Sequence, residues 1–361
     1  MNRIKLFVFA IAALACPASV MAAHETQTDS TEAKEEIDVN EIIGHHIADA
    51  HSWNIFGYTN SDGEKVELTI PLPVITYYKE GDVLVRLSSA FEEEAVVEHN
   101  GLYYKMHHGK IYMTNAAGDI ETDENGPINE RPLDISITRN VVSMFMSVAL
   151  LLLIFIGAAR AYRKSSVPRG GNAMVETLVL FVKSIADEQI GKEKSDKFAP
   201  YILTLFFFIW INNIIGLIPF FPGGSNLSGN ISFTGILAVF TFLTTAIFAS
   251  KSYWKHNLTV PGIPFPMKFL LVPIEIVSMF TKPFTLLIRL LANVTGGHII
   301  ILSLLSMIFI TQSYVMTIPS VLLSLVIFVL ELIFGALQAY IFALLSSLYI
   351  GLAVKDEEHE D

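Results

Sequence analysis

Five long apolar runs, separated by polar loops, fill the chain from about residue 140 to residue 353. About 20 helical residues cross a bilayer core, so each run predicts a membrane helix. The runs cover residues 140–162, 199–221, 231–250, 269–310 and 317–353. The last two are far longer than one upright span needs, and no polar turn divides them. We therefore expect them to be two long, strongly tilted helices.

A shorter segment between the first two runs has a different pattern. Across residues 171–192, Met174, Leu178, Phe181 and Ile185 recur at helical spacing, and most charged residues lie elsewhere. This pattern predicts an amphipathic helix that lies on the inner membrane surface.

The region before the membrane runs is polar and β-rich. From Val66 to about Met113, short β-branched and aromatic runs alternate with turn signals, which predicts four or five strands. We assign residues 57–135 to a small β-rich periplasmic domain, inserted before a membrane domain at 136–355. The expected fold is an all-α polytopic membrane protein with about five membrane helices and this small β-rich domain.

The two ends of the chain have the composition of processing and linker segments. Residues 1–22 combine a basic start with a ten-residue apolar core, which predicts a cleaved signal peptide. Cys16, the single cysteine, raises the alternative of a lipid attachment site, but Pro17 follows it and argues against one. Residues 23–56 read as an acidic linker and membrane-proximal segment, and residues 356–361 as an acidic tail.

Composition and charge narrow the class of protein. Hydrophobic residues make up 52% of the chain and its mean hydropathy is +0.50, as in polytopic membrane proteins. The net charge of −11 is concentrated in the N-terminal region and the tail, and it argues against a nucleic-acid partner. The pairs His45-His46 and His107-His108 raise a metal site as an alternative. Neither pair has helical ligand spacing or a cysteine partner, so a surface role is favoured and no cofactor is expected.

The loop charges predict the orientation of the membrane helices. Eight bases lie at the end of the first run or between it and the second, and three follow the third run, whereas the loops after the second and fourth runs have none. By the positive-inside rule the N-terminus lies outside and the C-terminus inside. The bases are Arg160, Arg163, Lys164, Arg169, Lys183, Lys192, Lys194 and Lys197, then Lys251, Lys255 and Lys268.

Two polar clusters interrupt the last two runs. Arg289, Asn293 and His298 lie in the fourth run, and Glu331 and Gln338 lie in the fifth. An arginine at mid-membrane depth costs about 2.5–3.5 kcal/mol on insertion scales, so it implies a partner or a wet cavity. Arginine stays protonated, whereas histidine titrates near neutrality. A fixed cation beside titratable groups is what a proton path requires.

An antiparallel hairpin of the last two runs would pair these residues by depth. Residues equidistant from a turn near 314 lie at one level, which pairs His298 with Glu331 and Arg289 with Gln338. Nine residues at 1.5 Å each then place the Arg289 layer about 13 Å deeper than the His298 layer.

The helix faces leave two interpretations open. Glu331 and Gln338 are seven residues apart and share a face, whereas Arg289 and His298 are nine apart and fall on roughly opposite faces. Either the helix bends at Gly296-Gly297, or His298 faces an access channel while Arg289 faces a moving partner.

Arg289 also belongs to a set of charged residues that are spaced seven apart and continue toward the inner side of the membrane. Glu275, Lys282 and Arg289 recur every seven residues. Glu275 and Lys282 are interpreted as an interfacial pair at the inner mouth, with a part in transport as the alternative.

From about Glu41 to its C-terminus, outside roughly 57–130, the chain resembles subunit a of bacterial F-type ATP synthases. The matching motifs are IIGHHIADAHSW, NNIIGLIP, SMFTKPFTLLIRLLANVTGGHI and ELIFGALQAYIF. An R-L-x-x-N pattern followed by Glu and Gln seven residues apart is highly specific. The resemblance makes Arg289 the essential arginine and Gln338 the glutamine of the last helix. Asn293, Asn213, Glu275 and Lys282 also match.

Two departures from the family pattern stand out. Many bacterial members have Glu at the position of His298 and His at the position of Glu331, so the pair is exchanged here. Members often have an acid at the position of Gly216, whereas Asn213 is retained.

The resemblance implies a rotary mechanism. Protons would enter an outer half-channel lined by His298, Glu331 and Asn213, reach a carboxylate on a ring of c subunits, and leave by an inner half-channel. The implied partners are that ring, the b-subunit peripheral stalk, the F1 sector and membrane lipid, and the subunit has no ATP site of its own. A secondary transporter, a scaffold for the β-rich domain and coupling to Na+ remain as alternatives.

Overall fold

The computed structural model describes residues 49–59, 65–123, 126–164, 167, 169–218, 223–259, 264–311 and 314–355. The expected signal peptide, Cys16, the acidic linker up to residue 48, the His45-His46 pair and the tail at 356–361 lie outside the described residues.

Ten short strands form small antiparallel sheets in the described part of the region before the helices. The sheets are ordered β1-β2, β10-β3-β4, β5-β6-β7 and β8-β9. The strands are β1 (Ser52–Thr59), β2 (Lys65–Pro71), β3 (Pro73–Tyr78), β4 (Asp82–Leu87), β5 (Val96–His99), β6 (Leu102–His107), β7 (Lys110–Thr114), β8 (Thr122–Asp123), β9 (Gly126–Pro127) and β10 (Leu133–Asp134).

The β-rich prediction is confirmed, but the count of four or five strands was wrong. Leu72 divides one predicted apolar run into β2 and β3, and β1 begins at Ser52, before the predicted start. Strands β8, β9 and β10 have two residues each, too few to show an alternating pattern.

Alternation along β3 and β4 builds the core of this region. Val74 and Leu84 point inward and pack with Phe91, Tyr104 and Ile111, all at most 4% exposed. The Tyr104 hydroxyl donates to Asp82 at 3.0 Å. Burial and this carboxylate raise the pKa of Tyr104 to about 12, so the hydroxyl remains a donor.

A hydrogen-bonded junction joins the strands to the first membrane helix. Asp49 accepts from the Thr138 hydroxyl at 2.7 Å and from the Asn140 backbone N–H at 3.1 Å. His51 Nε2 lies 2.9 Å from the Asp134 carboxylate. Because these bonds span more than 80 residues of sequence, they tie the start of the β region to the point where the helices begin.

Seven helices follow in the described residues. They are α1 (Arg139–Lys164), α2 (Gly171–Ile190), α3 (Lys192–Leu217), α4 (Ile231–Phe248), α5 (Lys251–Thr259), α6 (Phe265–Thr311) and α7 (Tyr314–Val354). Five of them, α1, α3, α4, α6 and α7, are long and apolar enough to span a membrane. The predicted number of spans is confirmed, and α6 and α7 have 47 and 41 residues, as the two longest apolar runs require.

Helix α3 lies at the centre of the helical core. Ile202, Phe206 and Ile209 on α3 pack with Leu290 on α6 and Phe342 on α7, and all five are buried. Asn212 and Asn213, at 2% and 4% exposure, extend this buried surface toward the C-terminal end of α3. The central helix therefore presents polar groups to the two long helices.

Helix α2 forms where the amphipathic pattern predicted a helix, but only part of its apolar stripe is covered. Val182 and Ile185 are buried against the core, whereas Met174 and Phe181 are 62% and 46% exposed. The helix packs against the end of α7, where a Cβ at Gly351 would overlap the Gln189 backbone.

Candidate functional site

Arg289 points away from the helical core. Its neighbours on α6, Leu286 and Leu290, are 1% and 0% exposed, whereas the Arg289 side chain is exposed and Asn293 is half-buried. Across the described chain, no carboxylate lies within ion-pair distance of Arg289. A fixed positive charge thus sits unpaired on the outer surface of a membrane-length helix.

The polar residues of α7 face inward. Glu331 and Gln338 are 6% and 5% exposed, and Gly335 between them is buried on the same face. The Asn213 amide donates to the Gly335 carbonyl at 3.1 Å, so α3 and α7 approach closely here. The predicted common face of Glu331 and Gln338 is present, and Asn213 reaches it from α3.

Glu331 meets α6 at Gly297, the residue before His298. A Cβ built at Gly297 would overlap the Glu331 carboxylate. The level of contact is therefore within one residue of the pairing expected from the hairpin. No ion pair between His298 and Glu331 is present among the described residues.

His298 instead approaches α3. A Cβ at Gly216 would lie 3.9 Å from His298 Nε2 and 3.0 Å from the Ser225 carbonyl oxygen. His298 Nε2 is buried and has no hydrogen-bond partner among the residues that the structure describes. Arg289 is exposed whereas His298 Nε2 is buried beside Gly216, so the two residues lie on separate surfaces of α6.

The loop after α3 contributes buried polar groups that sequence reasoning missed. Ser225, Asn226 and Ser228 are at most 4% exposed. Within the described part of the chain, Ser225 Oγ, Asn226 Nδ2 and Ser228 Oγ have no hydrogen-bond partner. On α3, Asn212 Oδ1 and Asn213 Oδ1 are also unpartnered. Buried polar atoms normally find a partner, and ordered water is the usual one where protein supplies none. The sequence signal was the polar stretch GGSNLSGN, which was used only for its lack of bases.

Gln338 adds a further unpartnered atom deeper in the helices. Gln338 Nε2 on α7 and Thr295 Oγ1 on α6 are buried, and neither has a hydrogen-bond partner in the described ranges. The unpartnered polar atoms therefore occur on α3, α6, α7 and the 223–230 loop. Such a set of buried, unpartnered polar atoms is chemically suited to bind water and to exchange protons with it.

The two remaining predicted residues, Glu275 and Lys282, lie closer to the N-terminal end of α6 than Arg289 does. Glu275 and Lys282 are each half-buried and form no ion pair with one another, and their position at the inner mouth stays a prediction. Their spacing of seven residues separates them by about 10 Å along the helix, too far for an ion pair. Lys282 Nζ lies 5.9 Å from the ring centroid of Tyr349 on α7.

The histidine pair of the β region is engaged by a neighbouring acid. His107 Nδ1 lies 2.7 Å from Glu94, and Lys105 Nζ lies 2.9 Å from the same carboxylate. Hydrogen bonds from Lys105 and His107 lower the pKa of Glu94. The described residues contain no cluster of three or more potential metal ligands.

Comparison with known proteins decides the family. Residues 141–351 match the family model described as ATP synthase A chain. The chain belongs to the ATP synthase subunit a family. All of the candidate site residues, from Asn213 to Gln338, lie inside the matched range. Membership in this family favours an ATP synthase subunit over the secondary-transporter and scaffold alternatives.

Curated relatives named ATP synthase subunit a match over most of the chain. The Chloroherpeton thalassium protein is 43% identical over 236 residues, covering 63% of this chain and 69% of the relative. The Anaeromyxobacter sp. protein is 41% identical, covering 67% of this chain and 60% of the relative. The Pelodictyon phaeoclathratiforme protein is 37% identical over 297 residues, covering 78% of this chain and 85% of the relative.

The β region matches a different model. Residues 42–135 match a family described as a domain of unknown function (DUF8433). The subunit a match begins at residue 141, so the two matches meet near the start of α1.

Proposed function

We propose that this chain is the stator subunit that carries protons through two half-channels to and from the c-subunit ring, which couples proton flow to rotation and ATP synthesis. The observation that carries the proposal is the exposed, unpaired Arg289 on a membrane-length helix. A charge in hydrocarbon requires a partner, and the described chain supplies none. A carboxylate on a neighbouring subunit is the partner that fits.

Arg289 would act as a fixed charge at the boundary between the half-channels. Opposite unit charges about 4 Å apart attract by about 4 kcal/mol at an effective dielectric of 20. That attraction favours loss of the proton from a passing carboxylate without holding the rotor permanently. It also opposes direct passage of protons between the half-channels.

The outer half-channel would begin at the 223–230 loop. Ser225, Asn226 and Ser228 hold water in this proposal, and His298 Nε2 exchanges protons with it beside Gly216. Asn213, Glu331 and Gln338 then continue the path toward the level of Arg289, and Asn293 lies beside the arginine. The unmet hydrogen-bonding capacity of the three loop residues and of Asn213, His298 and Gln338 supports a hydrated path.

The inner half-channel would open on the opposite side, with Glu275 and Lys282 bordering its mouth. The distribution of bases supports an inner-membrane location with a periplasmic N-terminus and a cytoplasmic C-terminus. The b-subunit peripheral stalk and the F1 sector are the further partners, and ATP is bound by F1 rather than by this subunit.

Arg289 variants in the assembled complex test the proposal. Arg289→Ala should abolish ATP synthesis driven by a proton gradient while the complex still assembles, because an exposed side chain leaves no cavity in the core. Arg289→Lys should also fail, since lysine lacks the planar guanidinium and loses its proton when desolvated.

A matched control separates this effect from a general loss of charge. Arg160→Ala removes an exposed arginine near the end of α1 and should retain synthesis. Robust ATP-driven proton pumping by either Arg289 variant would contradict the proposal. ATP synthesis by the parent complex that requires a Na+ gradient rather than a proton gradient would favour Na+ coupling.

A further inference from the structure

A groove opens between the helices at the end of the molecule opposite the 223–230 loop. Helices α4, α5, α6 and α7 all line it. Its walls are mainly apolar and aromatic, and they include Phe242, Ala246, Met279, Pro283 and Tyr349.

The two threonine hydroxyls in the groove are already hydrogen-bonded. Thr241 donates to the Leu237 carbonyl at 3.2 Å, and Thr245 donates to the Thr241 carbonyl at 2.8 Å. These two hydroxyls are therefore not free to donate to a ligand, and the remaining walls are mainly apolar and aromatic.

Lys282 is the cation of this groove. Its side chain is half-buried, and no carboxylate of the described chain lies within ion-pair distance. Tyr349 is close enough to interact with the ammonium group but does not neutralise it. The Tyr253 hydroxyl also borders the groove, and burial raises its pKa, so it remains a neutral hydrogen-bond donor.

The groove lies at the depth of a membrane interface. Thr245 is three residues from the end of α4 and Tyr349 is five from the end of α7, which are about 5 Å and 8 Å along the helices. Ile247 and Phe280, the neighbours of two lining residues, are 72% and 58% exposed. In a multi-pass membrane protein such apolar side chains contact lipid, so the groove adjoins a lipid-facing surface.

We propose that this groove binds an anionic phospholipid, with one acyl chain against Phe242, Ala246 and Met279 and the headgroup phosphate paired with Lys282. The match is one of charge and polarity: an unpaired ammonium group lies at the rim of an apolar groove at headgroup depth. Lysine side chains at such positions attract anionic headgroups. Lys282 also borders the proposed mouth of the inner half-channel, so the lipid would lie beside that mouth. Binding of the lipid itself does not depend on proton transport.

Photolabelling of the complete complex in vesicles tests this inference. The probes are a phosphatidylglycerol and a phosphatidylcholine, each with a diazirine on the acyl chain. The anionic probe should label peptides of α4 and α6 that line the groove about fivefold more than the zwitterionic probe, the ratio expected for one lysine at a membrane surface.

Two variants alter the site by independent means. Lys282→Gln should reduce labelling by the anionic probe to the level of the zwitterionic one. Ala246→Trp keeps the charge but fills the groove, so it should remove labelling by both probes. Lys255→Gln, at an exposed lysine of α5 outside the groove, is the control and should label like the parent.

The outcomes are decisive in either direction. Equal labelling by the two probes, or labelling unchanged in both groove variants, would overturn the inference. Competition by excess inorganic phosphate would show that the site takes free phosphate, which would also overturn it. Labelling needs no proton flux, so failure here is distinguishable from failure of the half-channel proposal.

Discussion

Gly297 offers a direct test of the contact between α6 and α7. A Cβ at this position would overlap the Glu331 carboxylate, so Gly297→Ala must displace that group or separate the helices. Gly296, the preceding residue on the same helix, has no atom within 4 Å of its Cβ position. Gly296→Ala is therefore a matched control with the same chemical change.

The expected difference follows from two opposing effects. Alanine is favoured over glycine in a helix interior by about 1 kcal/mol, and both variants gain this. Overpacking costs about 1–3 kcal/mol, and only Gly297→Ala incurs it. The two variants should thus differ by about 1–3 kcal/mol. This free energy corresponds to about a 5- to 150-fold change in the equilibrium between native and displaced positions of the Glu331 carboxylate.

Proton pumping in inverted vesicles and the thermal stability of the assembled complex are the two measurements. Gly296→Ala should match or exceed the parent in stability and pump normally. Gly297→Ala should pump at least about fivefold more slowly, and adding Glu331→Asp, which is one methylene shorter, should restore part of the rate. Equal pumping by the two alanine variants would show that this contact does not position Glu331.

Three further predictions concern the hairpin and the β region. Cysteines at positions 298 and 331 should cross-link in membranes, and efficient cross-linking only at a distant register would contradict this. Exchanging His298 and Glu331 should retain more proton flux than the effects of His298→Ala and Glu331→Ala predict when they are added as free energies. Deleting 57–130 should leave proton transport intact in assembled complexes, and loss of transport there would assign the β region a further role. Burial raises the pKa of Asp134, but hydrogen bonds from His51 and Ser136 outweigh it and lower the pKa to about 2. The stabilising effect of the Asp134 carboxylate is complete above about pH 3.8 and is lost as the pH falls through about 2. Hydrogen exchange at the junction should therefore rise as the pH falls over that interval. Asp134→Asn should remove this pH dependence.

Membrane helices could be predicted closely because the bilayer imposes a length and a composition on each span. The predicted run 231–250 is the helix Ile231–Phe248, and the run 140–162 is Arg139–Lys164. The β region was harder, since strands of two residues depend on hydrogen bonds to distant partners rather than on local pattern. Strand β10, for example, pairs with β3 more than 50 residues earlier.

The candidate site, too, was only partly predictable from the sequence. Sequence alone singled out Arg289, Glu331 and Gln338, because charged or amide groups in apolar runs are costly and therefore conspicuous. It also predicted that Glu331 and Gln338 share a face, which depends only on helical periodicity.

Only the tertiary structure decided which groups meet. Ser225 and Asn226 are ordinary loop residues in the sequence, and they become part of the site because the loop folds against α3 and α6. Gly216 and Gly297 matter for the space that they leave beside His298 and Glu331, and an absent side chain gives no signal in a hydropathy pattern. Periodicity determines the face of one helix, whereas the neighbour of that face depends on how three helices pack together.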